Sequence, residues 1–312
     1  MSILRKLFLP REVKELIKKA EAGDAEAKYQ IGGIYSAGKV VKQDYHEAAK
    51  WYHKAATQGN ADAQYNLAFL YFLGRGVEQD PQETLKWFNK AAEQGNESAQ
   101  YHLGLLYYHT KSADGGYSQA AIWYRKAAIQ GNVESQYMMG VIYSNGHGVK
   151  QDHAEAAQWY MKAALNGHVE AQRDLGLMYY LGEGVEKNYD EAAKWLRKAA
   201  LRGDEIAQHH LGVMFTDGYD VDGDYSNVIK WLCKAAERGH VKSQYHLGLM
   251  YAEGLGVLLN YEEAYFWLLI ASANGHEESV ESRDSIGRKL SKGQRDRVRK
   301  RIEKWLVEHE KK

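Results

Sequence analysis

Glycine returns every 36 residues along this chain: Gly23, Gly59, Gly95, Gly131, Gly167, Gly203, Gly239 and Gly275 stand in one unbroken frame. Tryptophan keeps the same period at Trp51, Trp87, Trp123, Trp159, Trp195, Trp231 and Trp267. A repeat of this length means stacked supersecondary units, each too small to bury its own apolar face. It overrides the two-domain expectation that 312 residues would otherwise raise. The reading is all-α: an N-terminal capping helix over 1–22, seven helix-turn-helix units, and C-terminal capping helices over 275–312. The units run 23–58, 59–94, 95–130, 131–166, 167–202, 203–238 and 239–274.

Each unit reads as two helices. In the second, the first helix spans roughly Ala61 to Leu73, with a core stripe of Ala63, Leu67, Leu70 and Tyr71. Gly74-Arg75-Gly76-Val77 follows, its glycines free to take positive φ at the helix end. A capping box opens the second helix, with Asp80 as N-cap, Pro81 at the first helical position and Glu83 at the third. The same box recurs as Asp44/Glu47, Asp152/Glu155, Asn188/Glu191 and Asn260/Glu263. Glycine sits mid-helix at Gly32, Gly104, Gly140, Gly176, Gly212 and Gly248, with Ala68 the exception. Each costs about 1 kcal/mol against alanine, so close approach of the two helices within a unit is the expected reason.

Composition agrees. There are 2 prolines against 30 glycines, which suits short helices joined by tight turns. Lys+Arg and Asp+Glu both number 41, so no global field draws the chain to nucleic acid or an anionic membrane. No apolar run is long enough to span a bilayer, and Pro10 cuts off the short apolar start. Cys233 is the single cysteine, which excludes an intramolecular disulfide. A cytoplasmic setting is the simplest expectation.

These units resemble the Sel-1-like repeat (SLR), a relative of the tetratricopeptide repeat. Its signature is A-x3-L-G-x2-Y, then G-x-G-V, then [DN]-x3-A-x2-W-x3-AA. The fourth unit spells it with Ser135 and Met139 as substitutes, followed by Gly140, Tyr143, Gly146, Gly148, Val149, Asp152, Ala156, Trp159, Ala163 and Ala164. The resemblance covers 23–274 and implies an α/α superhelical solenoid whose first helices line a concave surface. It also implies an adaptor or scaffold rather than an enzyme. Departures fall in the loops: Val40 replaces a glycine in the first unit, Thr110 and Ser112 replace both in the third, and Asp220 one in the sixth.

Positions 7, 11 and 14 of the unit point away from the core stripe, where an ordinary surface helix would be polar. Here they read Tyr65/Phe69/Phe72, Tyr101/Leu105/Tyr108, Tyr137/Val141/Ser144, Arg173/Leu177/Tyr180 and His209/Val213/Thr216. Position 7 is tyrosine in five of seven units, which suits packing on the next repeat. Position 14 varies, as a residue selected for a ligand would. Position 15, with Leu73, His109 and Leu181, would form the rim. The expected function is non-catalytic binding of a protein or peptide segment along this face, with Phe72 and Tyr108 as anchors.

No cofactor or metal is expected. The 13 histidines include no pair at the i, i+4 spacing of a helical metal site, and rim positions are the expectation for His209, His210 and His246. The capping-box carboxylates recur once per unit, as structural groups do and catalytic ones do not. A second candidate surface is the basic stretch near the C-terminus, with Arg295, Arg297, Arg299, Lys300 and Arg301, which could meet an anionic protein or, less readily, nucleic acid.

Overall fold

A computed structural model describes residues 10–109, 115–216, 219 and 225–309. Among them are seventeen helices and no strand. The chain divides into two compact units, Met1–Asp152 and His153–Lys312.

The first unit holds α1 (Arg11–Glu21), α2 (Ala25–Ala37), α3 (Tyr45–Ala56), α4 (Ala61–Leu73), α5 (Pro81–Glu93), α6 (Glu97–His109), α7 (Gly116–Gln130) and α8 (Val133–Asn145). Each packs against the next in sequence, as a solenoid requires. The second unit holds α9 (His153–Leu165), α10 (Val169–Leu181), α11 (Tyr189–Leu201), α12 (Glu205–Thr216), α13 (Tyr225–Glu237), α14 (Val241–Glu253), α15 (Tyr261–Ala273), α16 (Glu278–Lys289) and α17 (Lys292–His309). Sequential packing continues there, and α15 is covered by both α16 and α17.

Both ends of the array are covered by chain that is not a repeat. Helix α1 buries Val13, Ile17 and Ala20 against the first repeat. At the other end, Tyr265, Phe266, Trp267 and Ile270 of α15 are buried; earlier repeats place mostly polar residues at the Phe266 position and lysine at that of Ile270, while the Tyr265 position is apolar throughout. Trp305 of α17 meets Phe266 and Trp267 edge-on at 6.3 and 6.2 Å.

The mid-helix glycines make room for a side chain of the partner helix. A methyl group on Gly32 would lie 2.6 Å from Tyr52 Cδ1, and on Gly104 2.6 Å from Tyr124 Cδ1. Gly176, Gly212 and Gly248 meet Leu196, Leu232 and Leu268 in the same way. The second loop glycine has a different task. A methyl on Gly76 would overlap the backbone at Tyr45, and on Gly184 the backbone at His153, so each loop rests on the start of the preceding repeat's second helix. The first repeat has no preceding second helix, and there Val40 is tolerated, 53% exposed. The other loop departures, Thr110, Ser112 and Asp220, lie outside the described residues.

The capping boxes form by halves. Asp44, Asp80, Asn188 and Asn260 accept from backbone N–H groups in the first turns of α3, α5, α11 and α15, as expected. The glutamate does not return the bond, because the N-cap N–H is already taken. It donates to the carbonyl of repeat position 13, as in Asp80 to Tyr71 at 3.3 Å and Asp152 to Tyr143 at 2.9 Å. The glutamate reaches forward instead: Glu83, Glu155 and Glu191 accept the indole N–H of Trp87, Trp159 and Trp195 at 2.8, 3.1 and 3.0 Å. A lysine at i+3 then covers each indole face, Lys90, Lys162 and Lys198 lying 4.8, 3.9 and 4.4 Å from the ring centroids.

Candidate functional site

In the first unit, positions 7, 8 and 11 build one aromatic cluster between neighbouring repeats. Tyr65 lies 5.8 Å from Phe88, 5.5 Å from His102 and 6.1 Å from Phe69, centroid to centroid. His102 stacks on Phe88 at 5.6 Å, and burial pushes its imidazole below the usual range. Phe72 stands at the open end, 6.2 Å from Phe69 and 40% exposed, with Leu73 beside it at 39%. An exposed ring held on a half-buried one that is itself fixed by packing is pre-organised, so a ligand need not order it.

Tyr108 is more occupied than an anchor should be. Its ring lies 5.1 Å from Tyr117 and 6.4 Å from Tyr124, and its hydroxyl shares a 2.9 Å hydrogen bond with His147 Nδ1. His147 in turn stacks on Tyr117 at 4.5 Å. Tyr108 therefore fastens the third repeat to the loop of the fourth, and only part of its ring remains open. Tyr101 packs on Tyr124 at 6.1 Å. Leu105 and Val141 are half-buried, and His109 is exposed on the rim.

In the second unit, Leu177 and Tyr180 are half-buried and Leu181 is 52% exposed. Tyr180 meets Tyr189 at 5.8 Å, and Tyr189 stacks on Tyr219 at 4.0 Å. Two expectations fail here. His209 is 5% exposed, not on an open face, because it packs 4.8 Å from His240 and 5.4 Å from His246. Arg173 is held by its own side-chain bonds, 2.7 Å to Asp174 and 3.2 Å to Asp204. Nor are His210 and His246 rim residues; both are half-buried. Burial and the neighbouring basic groups push His209 down to about 2 and His246 to about 4. Among the described residues no group of histidine, cysteine or acidic side chains has the geometry to hold a metal ion. Cys233 is half-buried, and burial pushes its thiol up to about 11, away from reactivity.

The basic stretch is largely committed inside the chain. Arg295 donates to the Gly287 carbonyl at 2.8 Å, Arg297 pairs with Glu262 at 2.8 Å, and Arg301 grips both oxygens of Glu263. The first bond ties α17 to α16, and the other two tie it to the last repeat. Arg299 and Lys300 are exposed. No helix among the described residues is long and apolar enough to cross a membrane.

A feature that the periodicity displayed, and that hydrophobic patterning passes over, is glutamine at position 6. Gln64, Gln100, Gln172, Gln208 and Gln244 are buried, and each donates to the carbonyl of an alanine eight residues earlier, at 3.0 Å. The amide thereby adds a second donor to a carbonyl at the end of the preceding second helix, which also accepts the backbone N–H of the glycine three residues on. The signal available was its recurrence, since buried amides are not expected on an apolar stripe.

The Sel1 repeat pattern matches at residues 25–60, 61–96, 97–132, 133–168, 169–204, 206–240 and 241–276. Each begins at about the start of a first helix, two residues after the glycine frame in six of seven cases. Among solved structures, the chain is similar to a protective antigen of uropathogenic Escherichia coli strains that displays an SLR fold. They share 32% identity with a TM-score of 0.74, over 95% of this chain and 72% of that one. It is also similar to a Sel1 repeat protein from Oxalobacter formigenes, at 33% identity and a TM-score of 0.61, over 88% of this chain and 79% of that one. No curated protein sequence matches it. Seven matched segments, helices paired as each segment requires and two solved structures of the same repeat make this chain a member of the Sel1 repeat family.

Proposed function

We propose that the chain is a non-catalytic interaction module that binds a peptide or protein segment along the outward face of its first helices. One observation carries the reading: Phe72 and Leu73 stand exposed, and Phe72 meets Phe69, which is itself fixed by packing on Tyr65 and His102. Exposed aromatics on a rigid support are what a binding hot spot needs. Tyr101, Leu105, Tyr108, His109 and Val141 extend the face through the first unit, and Leu177, Tyr180 and Leu181 continue the same repeat positions in the second. Such a face suits an amphipathic or extended segment whose apolar side chains fall beside Phe72.

The test is affinity capture followed by mass spectrometry with the full chain and with its Phe72→Ala/Leu73→Ala variant. Partners retained by the native chain and lost by the variant support the reading, provided the variant keeps its helical circular dichroism. Equal capture by both places binding elsewhere. Arg299 and Lys300 are the exposed remainder of the basic surface, so their replacement by glutamate is the matched control.

A further inference from the structure

A cleft of about 350 Å³ opens between the first two repeats, lined by α3, α4 and the loop that follows α4. It lies on the core-stripe side of α4, away from Phe72. Its floor is apolar, made by Ala49, Leu67, Tyr71 and Val77. Its rim is His46, Lys50, His53 and Lys54, and none of the lining residues is acidic. The chain as a whole balances 41 cations against 41 anions, so four basic groups around one apolar hole are a local arrangement.

The rim is held in place. His46 Nδ1 lies 3.0 Å from the Gly76 carbonyl; a carbonyl only accepts, so Nδ1 carries the hydrogen and Nε2 faces outward. The Lys54 ammonium sits 4.5 Å over the Trp51 ring, and His53 meets Trp87 edge-on at 5.8 Å. Lys50 pairs with Glu47 at 2.9 Å, but its side chain is 52% exposed, and a surface pair of this kind is easily exchanged for a better anion. Small Ala49 keeps the cleft open; the second repeat has Leu85 at the same repeat position.

We infer that this cleft is a second docking site, for an acidic segment of a partner protein that inserts one apolar side chain and lays carboxylates on either side of it. The floor supplies the apolar contact. The volume, at the lower end of ligand pockets, suits one or two side chains. The ammonium groups of Lys50 and Lys54 on the rim steer the segment and fix its register. The site rests on a different helix face from the one proposed above and does not depend on that reading.

The probe is a fluorescein-labelled peptide with a central leucine–phenylalanine pair and three glutamates on either side. A second peptide carries glutamines in place of the glutamates. Fluorescence anisotropy with the full-length protein at low salt should show the acidic peptide binding at least about tenfold more tightly, a difference of about 1.4 kcal/mol. Raising the salt should erase that margin. Lys50→Glu/Lys54→Glu should abolish the preference, and Ala49→Leu should weaken both peptides by closing the floor. The lysine variant alters only exposed groups, so it remains informative if Ala49→Leu is poorly folded. Equal affinity for the two peptides, no binding up to about 1 mM, or binding unaffected by the lysine variant would each overturn the inference.

Discussion

Repeat position 7 is Tyr65 in one unit of the molecule and His209 in the other, and both rings meet position 8 of the following repeat. Tyr65 lies 5.5 Å from His102, and His209 lies 5.4 Å from His246. The geometry is the same and the chemistry is not. In the first unit a phenol and two phenylalanines accept the contact at no electrostatic cost, and the cluster ends in an exposed ring. In the second, His209, His210, His240 and His246 crowd together, and the buried Nδ1 of His209 has no hydrogen-bond partner. One repeat frame therefore yields two interiors, one whose cluster holds a single histidine, His102, and one in which four histidines together exclude protons.

The largest expected effect is on pH dependence. Above about pH 6.5 these imidazoles are neutral in both folded and unfolded chains, and stability is full. As pH falls below 6.5 the unfolded chain takes up protons that buried His209 and His246 refuse, so stability is lost progressively down toward pH 4. Lys242, His210, His240 and His276 face the pair and oppose any added charge. Between pH 7 and pH 5 the loss should be roughly 2–4 kcal/mol. Hydrogen exchange, corrected for its intrinsic rate, should show α12 to α14 opening at pH 5 while α4 to α6 stay more protected. His209→Tyr, which restores the residue of five other repeats, should flatten the slope. An equal response in both units would erase the contrast.

The next effect probes the helix contact that both units share. Gly104→Ala would drive a methyl group into Tyr124, and overpacking of this kind costs about 1–3 kcal/mol in a urea or guanidinium titration. The second repeat already carries Ala68 opposite Phe88, both buried, so Ala68→Gly should cost only the helix-propensity difference of about 1 kcal/mol. A neutral Gly104→Ala would mean that the helices can separate freely.

A smaller effect tests the glutamine ladder. Gln100→Leu removes the 3.0 Å bond from Gln100 Nε2 to the Ala92 carbonyl and the 2.8 Å bond from Gln130 Nε2 to Gln100 Oε1. The Ala92 carbonyl keeps the Gly95 N–H at 3.0 Å, so losing the two side-chain bonds should cost about 1–2 kcal/mol in the same titration. No change would mean that water replaces the amide.

The architecture was legible in the sequence because period and spacing are properties of the backbone. Helix limits such as Ala61–Leu73, the caps at Asp80 and Asn260 and the tight contacts of the mid-helix glycines all follow from local rules. The candidate face was legible only in part. Phe72 and Leu73 do stand open, but burial at position 7 depends on what the neighbouring repeat offers, and His209 was sealed by His240 and His246 from later repeats. Arg173 was lost to Asp204 for the same reason, and Arg297 and Arg301 to Glu262 and Glu263. Each miss is a pairing across 30 or more residues, which no single helix pattern records.

The central claim is that in the second repeat the fold needs the ring of Tyr65 at position 7 and leaves the ring of Phe72 at position 14 for something else. Chemical denaturation of Tyr65→Ala and Phe72→Ala side by side tests it. The prediction is a loss of about 2 kcal/mol or more for Tyr65→Ala, which removes contacts to Phe88 and His102, and a change within about 0.5 kcal/mol for Phe72→Ala. A Phe72→Ala variant as destabilised as Tyr65→Ala would make Phe72 a packing residue and contradict the claim.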